Sequence, residues 1–462
     1  MCEAAIGQNQ VGTQPADEET GHEDTMSLED SIGSRTAAKD QLSTYGRYQD
    51  DGSTEDSGGF LVEVGADGRS TDVELERPDT EPVGESDQIT APYDPSKIEI
   101  QTSNPTINLL ISRLSNGMID LAPDFQRRAG IWSDEAQSRL IESLLLRIPI
   151  PSFYAAELDD SSWAQDSSWA IVDGIQRLTA IARFIAPDAL AEVAGIDAGP
   201  LKLRGLEYLR EDFEGKGYED LTGRLQIRLN ETQVVVHVIR PGTPEAVKFN
   251  IFARINTGGL PLTRQEIRHA LIPGPARQLL SSLAESAEFT SATGNGVYSE
   301  RMADREMVLR FMAFRLTSPE SFRAQDFDQF LALTMRQINR LSDEERETHA
   351  EAFRRAMLTA WAVFDSHAFR KLYPGQTRRS PVNKAIFESV AVNLAELGDG
   401  DGSALVASRE AVVEGFKRLM AERDFERAVS VGTGDRAKVV TRFAGVRDLF
   451  QHVLGHGGET TQ

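Results

Sequence analysis

The chain has 462 residues, a formal net charge of −23 and one cysteine, Cys2. That length suits two or three domains of ordinary size. A lone cysteine excludes an intrachain disulfide and a cysteine zinc cluster and agrees with a reducing cytoplasm.

The opening MCEAAIGQNQ lacks the basic-then-apolar order of a secretory signal, and no window approaches 18 apolar residues. A cytoplasmic protein without membrane attachment is expected. Residues 1–90 hold 22 acidic and 5 basic residues, whereas the remaining 372 hold 50 and 44. Residues 1–96 are therefore expected to be a disordered acidic tail, too poor in apolar side chains to offset chain entropy. Within it GGFLVEVGADG (58–68) leaves open a short strand or a docking segment.

Order is expected from Ile98. TINLLISRLSNG carries a helical apolar stripe that Gly117 ends, and SDEAQSRLIESLLLRIP has Ser133 as N-cap, acids in its first turn and prolines as its stop. SFYAAEL and SWAIVDG predict strands, IQRLTAIARFI a helix, and TQVVVHVI (232–239) a buried strand. PEAVKFNIFARINTGG predicts a helix ending at Gly258 and Gly259. TRQEIRHALI predicts another, with Thr263 and Glu266 as a capping box. Residues 97–272 thus form a mixed α/β domain. The amphipathic stretches beyond, from RMADREMVLRFMAFRL to SREAVVEGFKRLMAERDFERAV, form an all-helical domain over 273–457. The fold class is α+β.

IVDGIQRLTAI (171–181) concentrates polar groups where a strand meets a helix. Amides at a helix start, with the helix dipole, make an anion site. Gly174 permits a tight turn, Arg177 offers a fork for phosphate oxygens, Asp173 could hold a cation or orient water, and Gln176 both donates and accepts. The alternative is structural: Asp173 caps the helix and Arg177 pairs with an acid. PDFQRRAGIW (123–132) brings Gln126, Arg127 and Arg128 between Phe125 and Trp132, or is a solvated loop. FARINTGGLPLTRQEIRHAL (252–271) sets Asn256 at a helix end, or is a plain cap.

These three stretches, in this order and spacing, resemble the N-terminal domain of the GmrSD-type restriction endonucleases, whose fold is ParB/sulfiredoxin-like. The resemblance covers roughly 97–272, and the C-terminal helices also resemble members that carry this domain followed by helices. It implies a nucleotide-binding domain in a DNA-directed protein of restriction or anti-phage defence type. The family's DGQQR motif, tied to nucleotide hydrolysis, falls on Asp173, Gly174, Ile175, Gln176 and Arg177. The implied catalytic residues are Asp173, Gln176 and Arg177. Gln126, Arg127, Asp173, Gly174, Gln176, Arg177 and Asn256 would bind a nucleoside triphosphate, with Mg2+ at Asp173 and Asn256. Ile175 replaces the family's first Gln, which puts hydrolysis in doubt more than binding; restoring it by Ile175→Gln is expected to raise turnover. DNA is the implied partner, with a separate nuclease or another defence protein and self-association as further partners. A non-catalytic nucleotide switch or DNA-binding adaptor, or a protein-interaction scaffold with a degenerate site, are the alternatives.

No HNH nuclease signature, P-loop or metal-binding histidine pattern is evident. His269 is expected on a helix surface, and His452 and His456 at a frayed end. RKLYPGQTRRS (370–380) and GTGDRAKVVTRF (432–443, a loop then a strand) are basic, and DNA contact is expected there against the alternative of a solvated surface.

Overall fold

The computed structural model describes residues 61–64, 70–77, 98–121, 132–158, 168–196, 198–244, 247–248, 251–252, 263–297, 299, 301–323, 327–376 and 378–457. Among them, no helix is long and apolar enough to cross a membrane. Strands β1 (Val62–Val64) and β2 (Ser70–Glu74) pair antiparallel.

A five-stranded mixed sheet follows: β3 (Ile100–Ser103), β4 (Ile119–Asp120), β5 (Phe153–Glu157), β6 (Trp169–Asp173) and β7 (Val236–Ile239), in spatial order β3-β7-β5-β6-β4. β7 lies parallel to β5, and β4 parallel to β6; the other two pairs are antiparallel.

Helices α1 (Ile107–Ser115), α2 (Asp134–Leu145), α3 (Ile175–Ile185), α4 (Pro187–Ala194), α5 (Arg210–Phe213) and α6 (Gly223–Glu231) belong to the sheet region. The expected caps form: Ser133 Oγ accepts from the Ala136 amide at 3.3 Å, and Gly117 takes φ +69° just past α1. Alternation along the strands splits their apolar residues between two cores. Phe153, Ala155, Ile171, Val236 and Val238 pack with α1, α2 and α3, whereas Ala156, Val172 and Ile239 join Phe252, Ile267 and Leu271 in the core that continues into the C-terminal helices. The sheet is a wall shared by two cores.

Helices α7 (Arg264–Leu271), α8 (Pro275–Ala284), α9 (Ala287–Thr293), α10 (Ala303–Leu316), α11 (Phe327–Arg340), α12 (Asp343–Phe364), α13 (Lys384–Glu396), α14 (Asp399–Ala407), α15 (Arg409–Ala421), α16 (Arg423–Ser430) and α17 (Arg436–Gly457) build the rest. The α+β class holds, with α10 and α13 buried along nearly their whole length. The Thr263–Glu266 capping box at α7 is present: Glu266 accepts from the Thr263 amide at 2.5 Å, and Thr263 from the Glu266 amide at 3.1 Å.

Several expectations change. Residues 61–64 and 70–77, assigned by composition to the acidic tail, form the β1–β2 hairpin, and it docks on the C-terminal helices. Val382 donates to Asp72 O at 2.7 Å and accepts from the Glu74 amide at 2.8 Å, while Gly432 donates to Arg77 O at 2.9 Å. Both open alternatives for GGFLVEVGADG, strand and docking segment, are thus realised together at Val62–Val64. The reason is charge. The hairpin carboxylates neutralise cations that the helices bury, which offsets an entropy cost that apolar burial alone could not.

His269 is fully buried, with Arg305 Nη1 at 3.4 Å from its Nε2, because α7 packs on the sheet on one side and on α10 on the other. The 432–443 stretch starts α17 and is no strand. Arg442 is fully buried on Glu388, and Arg436 donates to Phe322 O at 3.1 Å. In the 370–380 stretch Arg370 and Lys371 are buried on Asp72 and Glu74, both at 2.8 Å. Arg370, Lys371 and Arg442 are therefore internal counter-ions, not the exposed DNA surface expected of them, whereas Arg378, Arg379 and Arg436 are exposed.

Candidate functional site

β6 delivers the chain to Asp173, Gly174 turns it, and α3 begins at Ile175. Gly174 has φ +95°, and a Cβ there would lie 2.5 Å from Phe153 Cδ1, so both the backbone and the close approach of β5 call for glycine. The N-cap is Gly174, which brings no side chain to cap α3. Asp173 instead points its charge at the first turn of the helix: its Oδ2 accepts from Arg177 Nη2 at 2.6 Å. Arg177 is buried, and its Nη1 donates to Pro151 O at 2.5 Å and Ser152 O at 3.0 Å, with the guanidinium carbon 5.1 Å from the Phe153 ring centre. The fork therefore clamps the entry to β5 onto the turn. Of the two parts of the structural alternative, the pairing of Arg177 with an acid is present and the Asp173 cap is not.

Gln176 Oε1 accepts from the Trp132 amide at 3.1 Å. Trp132 is the last residue of PDFQRRAGIW, so this bond brings the end of one motif to the turn of another. Gln126 and Arg127 lie outside the described residues, as does Asn256. The described residues on either side of Asn256 both reach the β6 face: Phe252 shares a core with Val172, and α7 packs on β6. Ile175 is buried in the sheet-side core.

Strand register adds residues that the motifs did not single out. Thr102 stands opposite His237, His237 opposite Tyr154, and Tyr154 opposite Asp173, where a bulge interrupts the β5–β6 ladder. Thr102 Oγ1 lies 2.9 Å from His237 Nδ1, and the His237 and Tyr154 ring centres are 4.8 Å apart. A polar and aromatic row thus crosses the sheet and ends at the motif. The lone histidine in the apolar run TQVVVHVI was its trace in sequence; the pairing that completes the row needs the fold. A cleft of about 490 Å³ lies elsewhere, lined by Arg147, Ile148, Pro149, Arg228, Glu231 and Val235 among others, and none of Asp173, Gly174, Gln176 or Arg177 lines it.

Among the described residues no group of three or more His, Cys, Asp or Glu side chains could hold a metal ion. Asp173, with one oxygen on a guanidinium, fits poorly as a resident Mg2+ ligand, since a second cation there meets Arg177. Mg2+ usually arrives with phosphates and keeps most of its water.

The site is thus a glycine turn between an interior strand of an α+β domain and a helix, tied through Trp132 to the end of PDFQRRAGIW. Residues 107–273 match the family model described as GmrSD restriction endonuclease, N-terminal domain. Over that segment the chain is similar to a GmrSD-type N-terminal domain, and helices follow it. No curated protein matches the chain.

Proposed function

We propose that the protein is a nucleotide-binding, DNA-directed component of a restriction or anti-phage defence system, with the Asp173–Arg177 turn as its nucleotide site. The observation that carries this reading is the Gln176–Trp132 hydrogen bond, because it ties the end of PDFQRRAGIW to the start of a helix whose N-cap is a glycine. Helix-start amides and the dipole favour phosphate; Gln126 and Arg127 would supply side-chain donors, and Asn256 an amide. Arg177 acts chiefly as the clamp that shapes the turn, since its donors are engaged by Pro151, Ser152 and Asp173. Mg2+ accompanies the triphosphate in this reading.

Ile175 favours a second reading within the same frame: a nucleotide switch or DNA-binding adaptor that turns over slowly and works with a separate nuclease. Its buried aliphatic side chain can neither orient water nor contact phosphate. Calorimetric titration with nucleoside triphosphates and Mg2+ tests the site. Arg127→Ala is expected to weaken binding by about 1.5–3 kcal/mol, the scale of a charge-assisted hydrogen bond, without lowering the melting temperature. Unchanged affinity would remove the loop from the site, and wild-type protein that binds no nucleotide would end the reading. Phosphate release measured with and without DNA separates the enzyme from the switch.

A further inference from the structure

Beneath the β1–β2 hairpin the helices form a trough of cations. Asp72 Oδ2 sits 2.8 Å from Arg370 Nη2 and 3.2 Å from Arg379 Nη2. Glu74 meets Lys371 Nζ at 2.8 Å and Asn383 Nδ2 at 3.0 Å. Glu76 takes both prongs of Arg310, at 2.9 and 2.5 Å, and accepts from Thr433 Oγ1 at 2.6 Å. From the neighbouring strand Glu63 meets Lys384 Nζ at 2.6 Å.

Two features set this apart from ordinary surface pairing. The first is the clustering of charge. Among the described residues, the cations Arg310, Arg370, Lys371, Arg379, Lys384 and Arg442 cluster here; Glu306 and Glu388 of the helices pair with some of them, and Glu306 is shared with Arg268. The four hairpin carboxylates, Glu63, Asp72, Glu74 and Glu76, pair with five of the six. Glu426 is one bond removed, on Ser430, which Lys371 also reaches. The second is the pattern. Asp72, Glu74 and Glu76 recur at every second residue of extended chain, a linear row of anions about 6.7 Å apart. A nucleic-acid strand also presents a linear row of single negative charges, at a similar repeat. The side chains that meet the hairpin carboxylates are donors: two-pronged guanidiniums, ammoniums, an amide and a hydroxyl. Arginine forks accept phosphate and carboxylate in the same geometry.

We propose that the hairpin is an intramolecular stand-in for a nucleic-acid strand, and that the trough is a site for a single-stranded phosphodiester backbone which displaces it. The proposal rests on the DNA-directed reading above. Exchange of carboxylates for phosphates keeps every buried cation neutralised, whereas loss of the hairpin without replacement would leave uncompensated buried charge. The trough lies on the C-terminal helices, apart from the Asp173 turn, so it would give the protein a second anion site.

The test is fluorescence anisotropy of a labelled oligothymidylate on the full chain, wild type against the triple variant Asp72→Asn, Glu74→Gln, Glu76→Gln. Affinity should rise about tenfold or more. The dependence of log affinity on log salt should steepen by about 2, as three phosphate contacts contribute roughly 0.7 each. A folded variant with unchanged affinity overturns the proposal. If wild type and variant bind duplex equally and neither binds single strands, the proposal falls and the DNA-directed reading stands; if neither binds any DNA, both fall. A variant that does not fold leaves the decision to hydrogen exchange of the wild type with oligothymidylate in excess. The amides of Asp72 and Glu74, which donate outside the hairpin to Gly296 and Val382, should lose protection. Protection retained overturns the proposal.

Discussion

At Gly174 the left-handed backbone and the approach of Phe153 are separate demands on one residue. Gly174→Ala should destabilise the protein by about 2–3 kcal/mol in urea unfolding, from the positive φ and the overlap together. In a Phe153→Leu background the substitution should cost less, because only the backbone term remains; an equal cost in both backgrounds would show that the ring is not what crowds the turn. Ile175, next along, has its side chain in the sheet-side core. Ile175→Gln, which the family motif invites, would exchange buried methyls for a buried amide. It should cost about 2–4 kcal/mol of stability, so a loss of activity in this variant says nothing about water positioning unless the melting curve is unchanged. Arg177 shows the same lesson from the polar side. Its guanidinium is satisfied by two backbone carbonyls and Asp173, so Arg177→Ala would strand those acceptors and an acid, and both nucleotide affinity and melting temperature should fall together.

Glu142 on α2 shows how one carboxylate positions a whole segment. It is buried, and its Oε1 accepts from the amides of Glu207, Tyr208 and Leu209 at 3.1, 2.7 and 2.8 Å. Burial alone would raise its pKa, yet the three amide donors hold it below the usual carboxylate range. A lowered folded pKa gives stability that is present above the ordinary carboxylate pKa and lost as pH falls through the folded value. Glu142→Gln should therefore lower the melting temperature at neutral pH, and the gap from wild type should close as the solution is acidified below about pH 4. A pH-independent gap would mean that lost shape rather than lost charge is responsible. Elements of this kind divide sharply in how legible they are. Helices with one apolar stripe and a capping residue, such as α1, α2 and α12, follow from periodicity because one face meets water. So does the strand, turn and helix of the motif. The helices α10 and α13 are visible as helices, but Arg310, Lys384 and Glu388 look like a solvated face and are in fact buried. The partner charges come from residues far away in sequence, and periodicity carries no record of them. For the same reason the row of Thr102, His237, Tyr154 and Asp173 needed strand register before it could be seen.

Across the whole molecule, the acidic hairpin and the buried charges of the helices are one system. Arg310 and Lys384, with Arg268, keep the Glu306 carboxyl far below its usual range against the penalty of burial, and all three cations belong to the C-terminal half. Removing one member should be far costlier than removing a surface pair. Glu388→Gln leaves Arg442 buried without its counter-ion, and a loss of about 3–5 kcal/mol is expected in thermal or urea unfolding. A change within about 0.5 kcal/mol, as for ordinary surface substitutions, would show that the network is slack. The hairpin also has a consequence for how the chain is made. Asp72 and Arg370 are 298 positions apart, and Glu76 and Thr433 are 357 apart. During synthesis these strands therefore wait for 298 to 357 further residues before their partners exist. At a few to about twenty residues per second, that interval is tens of seconds or more. Unpaired strands are ordinarily a hazard over such times, because their open edges recruit other chains. Here the same carboxylates that later neutralise the trough keep the waiting segment hydrated and mutually repulsive. Its acidity serves the nascent chain first and the finished fold last, and chain closure between the two ends is expected to be the slowest step of refolding.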